Sequence, residues 1–259
     1  MSRVWNSFKI AFAMYSRIPM PRSEWTEENI SYAMCFFPWV GVVIGAVSYG
    51  IFCLKGLACE QGILLNDLFW TALLVLVPIF ITGGIHMDGF LDTQDALSSY
   101  QPKERRLEIL KDSHAGAFAI ISCAVYMVLY LGVYSSLTKA SIEVIALSFM
   151  LSRTLSGLSV LTFPQARKKG LVATFSQNAA KRTSKMMLMG YLVILCVVMV
   201  FVGRWMGLAA LVAAGLTFLY YYRMSMEKFG GITGDLAGYF LQICELLMAL
   251  AVVIVDSLV

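Results

Sequence analysis

The residues best suited to chemistry in this sequence are Asp88, Asp92 and Asp95, in the stretch GGIHMDGFLDTQDA at 83–96. Their spacing, i, i+4 and i+7, puts all three carboxylates on one face if the segment is helical. Like charges this close repel one another, and a divalent cation held between them removes that cost. All-oxygen donors suit Mg²⁺ or Mn²⁺ rather than zinc, and Mg²⁺ commonly shares its remaining positions with water and substrate phosphates. The cluster therefore points to a Mg²⁺ site that handles a diphosphate, with Asp88, Asp92 and Asp95 as metal ligands and as candidate catalytic groups. His86, two residues before the first aspartate, can hydrogen-bond substrate or act as a base. A solvated acidic helix start, whose carboxylates complement the helix dipole, is the competing explanation.

A second glycine-rich segment, FGGITGDLAG at 229–238, repeats the GG-x-x-x-D spacing of the first. Backbone N–H groups at such a helix start suit an anion, so Thr233 is a substrate-binding candidate and Asp235 a fourth metal ligand. Gly83 and Gly84 are substrate-binding candidates because their missing side chains let the backbone approach a ligand or a neighbouring helix. Lys111 and His114 stand where the chain re-enters an apolar run, within reach of a phosphate. Arg167 and Lys168, between Pro164 and Gly170, read as phosphate-binding residues, or as basic charge facing anionic lipid. Arg153 lies inside an apolar run, where a guanidinium requires a partner or a hydrated cavity. It is a candidate for substrate, or for an ion pair with Glu245, which lies ten residues after Asp235 and so at comparable depth.

These residues need a scaffold, and composition says which kind. Hydrophobic residues make up 59% and charged residues 14% of the chain, against roughly 45–50% and about 25% in soluble domains. The expected fold is all-α: a polytopic transmembrane helix bundle of about seven spans, at 32–54, 68–85, 115–137, 142–163, 186–202, 205–222 and 236–255. The segment 4–20, interrupted by Lys9 and Arg17, reads as an N-terminal amphipathic helix at the interface and not as a signal peptide. Residues 1–259 read as one integral-membrane domain. Six cysteines form no CxxC and mostly fall in apolar runs, which argues against disulfides and zinc. With seven spans, 16 of the 20 basic residues fall on one side and only Lys55, Lys139 and Arg204 on the other. The positive-inside rule makes the richer side, which also holds the aspartates, cytoplasmic. The expected partner is the lipid bilayer; nothing calls for nucleic acid, and a homo-oligomer is compatible with the sequence.

In order along the chain, FKIAFAMYSRIPMP, GGIHMDGFLDTQDAL, KDSHAGAFA, SRTLSGL, FPQARKKGL and TGDLAGYFLQICE resemble the motifs of the cobalamin synthase family, the adenosylcobinamide-GDP ribazoletransferases. They run from Phe8 to Glu245. The resemblance implies a Mg²⁺-dependent enzyme of the bacterial or archaeal cytoplasmic membrane, with its active site facing the cytoplasm. It would join adenosylcobinamide-GDP to α-ribazole or its 5′-phosphate and release GMP. This sequence departs from the family pattern at His114, where arginine is more usual, and at Gln165, where an aromatic residue is expected. On the residues alone, two other classes remain: a prenyl or CDP-alcohol transferase, and a transporter with Arg153 and Glu245 lining a path.

Overall fold

The computed structural model describes residues 3–112, 114–167 and 181–259. Among these residues all regular structure is helical: α1 (Arg3–Tyr15), α2 (Glu27–Ser31), a 3₁₀ turn (Ala33–Cys35), α3 (Phe37–Glu60), α4 (Asp67–Thr82), α5 (Ile85–Ser98), α6 (Lys103–Ile109), α7 (Ala117–Ser135), α8 (Lys139–Thr162), α9 (Lys181–Gly203), α10 (Trp205–Phe229) and α11 (Gly234–Asp256). Six of them, α3 and α7 to α11, are long and apolar enough to cross a membrane. The chain is thus the all-helical, multi-pass bundle that its hydropathy implies. The second expected crossing differs in form. It is carried by α4, only 16 residues long, which qualifies as a span only together with α5, from which it is bent by 93°.

Short polar residues start the helices where the apolar runs begin. Thr138 and Ser141 form a reciprocal capping box at the head of α8, and Asn66 caps α4. The outward faces of α7 and α9 leave Ile120, Val128, Val193 and Phe201 exposed, as lipid-facing positions require. The core is α8, buried at every position from 151 to 161 and packed against α3, α9 and α11.

Arg153 and Glu245 tie α8 to α11 at the centre of this core. Both are almost completely buried, and Arg153 Nη1 donates to Glu245 Oε1 at 2.6 Å and to the Phe149 carbonyl at 3.0 Å. Ser152 Oγ donates to the same carboxylate oxygen at 2.8 Å. Burying either charge alone would cost several kcal/mol, which explains why both sit at one depth. Arg153, a substrate candidate by sequence, is therefore a bundle contact and does not line the cavity described below.

Helix α1 forms as its apolar pattern indicates, with Val4 and Trp5 exposed. Lys9, expected on its polar face, is instead fully buried, because α1 packs against α2 and α3 and the ammonium donates to the Arg22 carbonyl at 2.9 Å.

Candidate active site at the junction of α5 and α11

The bend between α4 and α5 depends on two residues in succession with positive φ, Gly83 at 65° and Gly84 at 81°, a conformation that favours glycine. The backbone N–H of Arg17 donates to the Ile81 carbonyl at 2.7 Å and docks the end of α1 beside this turn. The bend sends α5 across the start of α11. There the helices meet at two further glycines: a Cβ on Gly89 would come within 2.7 Å of the Asp235 carbonyl oxygen, and one on Gly238 within 3.1 Å of the His86 carbonyl oxygen. Small residues at both positions bring Asp88 and Asp235 to one cavity.

Thr233 caps α11, its Oγ1 accepting from the Leu236 N–H at 3.2 Å and donating to Asp235 Oδ2 at 3.4 Å. The segment before it is stapled to the end of α8 by two backbone bonds, Ile232 N–H to the Pro164 carbonyl and Ala166 N–H to the Ile232 carbonyl. That staple carries Arg167 to the cavity, where its Nη2 donates to the Leu107 carbonyl at 2.6 Å. The cavity, about 280 Å³, is completed by Tyr15, Met34, Phe37, His86, Ser156, Val160, Gln165 and Leu241, among others.

Asp92 sits beside this group on α5, half-buried. Its carboxyl is pushed up to about 6, first by desolvation and then by the negative charges of Asp88, Asp235, Asp95 and Asp112. The carboxylates of α5 and α11 therefore feel one another, as the spacing predicts for α5 alone.

The structure separates the sequence candidates into three groups. Asp88, His86, Arg167, Thr233 and Asp235 line the cavity, with Asp92 adjacent. Asp95 is turned away from them: its Oδ1 accepts from the Ala119 N–H at 2.8 Å and its Oδ2 from the Gly116 N–H, so it holds the start of α7. Gly83 and Gly84 shape the turn and do not line the cavity, and Lys111 is exposed after α6, also away from it. His114 is exposed and paired with Asp112 at 2.7 Å. Lys168 lies outside the described residues. Sequence reasoning missed Gly89, Gly238, Tyr15 and Phe37; of these only the G-x-x-x-G step at Gly234 and Gly238 left a recognisable trace.

The donor set bears on the expected metal. Among the described residues no three His, Cys, Asp or Glu side chains gather as a closed cage. Asp95 is not grouped with Asp88 and Asp92 here, because its oxygens accept from the Gly116 and Ala119 N–H groups at the start of α7. Mg²⁺ does not need such a cage: it is typically bound by one or two carboxylates, with waters and substrate phosphates filling the rest. Asp88 and Asp235, on separate helices at one cavity, fit that pattern.

Residues 7–253 match the family model described as cobalamin-5-phosphate synthase. The chain belongs to that family. An adenosylcobinamide-GDP ribazoletransferase of Lachnoclostridium phytofermentans is 50% identical over 254 residues, covering 98% of this chain and 95% of the relative. One of Desulfitobacterium hafniense is 33% identical, covering 96% of each chain. No solved structure was found to match the chain.

Proposed function

We propose that this chain, acting as one membrane domain, joins adenosylcobinamide-GDP to α-ribazole or its 5′-phosphate and releases GMP. The observation that carries the reading is the meeting of Asp88, Asp235 and Arg167 at one cavity, in a chain half identical to a relative of that name. A transfer at phosphorus needs the phosphate charge neutralised, the leaving group stabilised and the acceptor hydroxyl deprotonated. Asp88 and Asp235 would hold Mg²⁺. When bound, the ion supplies Lewis acidity toward the phosphate oxygens and offsets the charge of departing GMP.

Arg167 is the described guanidinium at the cavity, and it meets the remaining phosphate charge. Its bond to the Leu107 carbonyl keeps the group in place before substrate arrives. Asp92, raised toward neutrality and beside both metal-binding candidates, is suited to take the proton of the attacking hydroxyl. The polar ends of α5 and α11 are assigned to the cytoplasmic face, supported by the 16 basic residues that the span order collects on that side.

The test is a two-substrate assay on detergent-purified protein. Adenosylcobinamide-GDP and α-ribazole are supplied with and without Mg²⁺, and GMP and the corrinoid product are followed by mass. Both products are expected in equal amounts and only with the metal. Production of neither by folded protein would refute the reading.

A further inference from the structure

The lining of the cavity is of two kinds. Asp88, Asp235 and Arg167 suit phosphate and metal, whereas Tyr15, Phe37 and His86 form an aromatic wall. The Phe37 ring stands edge-on to His86 at 5.9 Å, the Tyr15 ring lies nearly parallel to it at 6.4 Å, and Tyr15 and Phe37 touch at 4.4 Å. We infer that this wall holds the bicyclic base of the acceptor nucleoside, so that the cavity is the α-ribazole subsite and the corrinoid ring of the donor docks outside it. The inference rests on the transferase reading above.

Size is the first argument. At about 280 Å³ the cavity lies just below the roughly 300–1,000 Å³ of small-molecule pockets. It accommodates a planar bicyclic base with its sugar, and a corrin macrocycle with its amide side chains is far too large for it. The second is hydrogen-bonding capacity: the aromatic wall is poor in polar atoms, which favours the acceptor base over the purines of the donor at that wall. Guanine and adenine present edges of several donors and acceptors, which a pocket must pair or leave unsatisfied at a cost. Here the Gln165 amide nitrogen is engaged by the Val160 and Phe163 carbonyls, and Thr233 is occupied as the cap of α11. On the aromatic wall His86 Nε2 is buried without a partner, and on the phosphate side of the cavity so is Arg167 Nε. A dimethylbenzimidazole has apolar edges and one free ring nitrogen, which suits the rings of Tyr15 and Phe37 and the His86 edge between them. Stacking and edge-on contacts with the rings provide the rest of the recognition.

The experiment uses full-length protein in detergent and reads both substrates separately. Phe37→Leu keeps an apolar side chain of similar reach and removes the ring. It is expected to raise KM for α-ribazole roughly tenfold or more, with KM for adenosylcobinamide-GDP within about twofold. Tyr15→Leu should do the same from a different helix, which guards against a folding defect confined to one variant. Calorimetric binding of α-ribazole, run with and without GMP, needs no turnover and should weaken by a similar factor in both variants. Variants that melt like the wild type but raise only the donor KM, or that leave α-ribazole binding unchanged, would overturn the subsite. Wild-type protein that binds α-ribazole but turns nothing over would count against the transferase reading and leave the subsite standing.

Discussion

Two clusters of charge lie in this bundle, and they are built on opposite plans. Arg153 and Glu245 are opposite in sign, almost wholly buried and joined at 2.6 Å. Asp88, Asp92 and Asp235 are alike in sign and stand where α5 crosses the start of α11, and desolvation first, then the neighbouring negative charges, lift the Asp92 carboxyl to about 6. The first arrangement satisfies itself and needs nothing from outside. The second carries an excess of negative charge that Arg167, at the same cavity, offsets only in part, so an added cation would stabilise it. Charge that completes its own partners holds a fold, and charge left in excess at a cavity marks a candidate ligand site.

Neutralising one member of each cluster should have opposite consequences. Asp88→Asn should lower kcat by about 10³-fold with little change in melting temperature, because it removes charge stabilisation in the transition state and relieves repulsion in the resting protein. Glu245→Gln should do the reverse. It strands a buried guanidinium, costs about 3–5 kcal/mol of stability, and reduces activity in proportion to the folded fraction. Thermal melting in detergent and specific activity per folded protein distinguish the two. The double variant Arg153→Met with Glu245→Gln should recover much of the lost stability, since no unpaired charge remains.

Asp95 shows the same division of roles within one helix. It shares a face with Asp88 and Asp92, yet its two oxygens serve the N-terminus of α7. Asp95→Asn should therefore cost about 1 kcal/mol of stability and leave Mg²⁺ affinity within a few-fold of wild type, measured by melting and calorimetry. The smallest expected effect is in pH. Asp92 binds its proton more tightly in the folded protein than at the ordinary value of 3.8. Its contribution to stability is thus present in acid and is lost as pH rises through about 6. Melting temperature without metal should fall over that interval, and added Mg²⁺ should flatten the change, because the cation supplies at neutral pH what the proton supplies in acid.

Much of the fold is written in local pattern. Apolar runs locate the crossings, and the pair Gly83–Gly84 marks where α4 must end, since two successive residues there have positive φ. The Arg153–Glu245 pair is legible as well, because equal depth on two spans leaves each charge few other partners. What the sequence conceals is which neighbour each polar group meets. Nothing in the spacing of Asp95 distinguishes it from Asp92; only the approach of α7, with its free N–H groups at Gly116 and Ala119, decides its role. Lys9 follows the same logic, since its burial depends on the Arg22 carbonyl reaching it from a separate segment. Gly89 and Gly238 are each unremarkable alone and acquire meaning only from the contact between α5 and α11.

A metal site shared between Asp88 of α5 and Asp235 of α11 is tested by metal binding itself. Calorimetric titration of Mg²⁺ in the presence of GDP should show affinity reduced about tenfold or more in both Asp88→Asn and Asp235→Asn, and nearly unchanged in Asp95→Asn. Loss of affinity in Asp95→Asn with Asp235→Asn unaffected would place the metal on α5 alone and contradict the two-helix site.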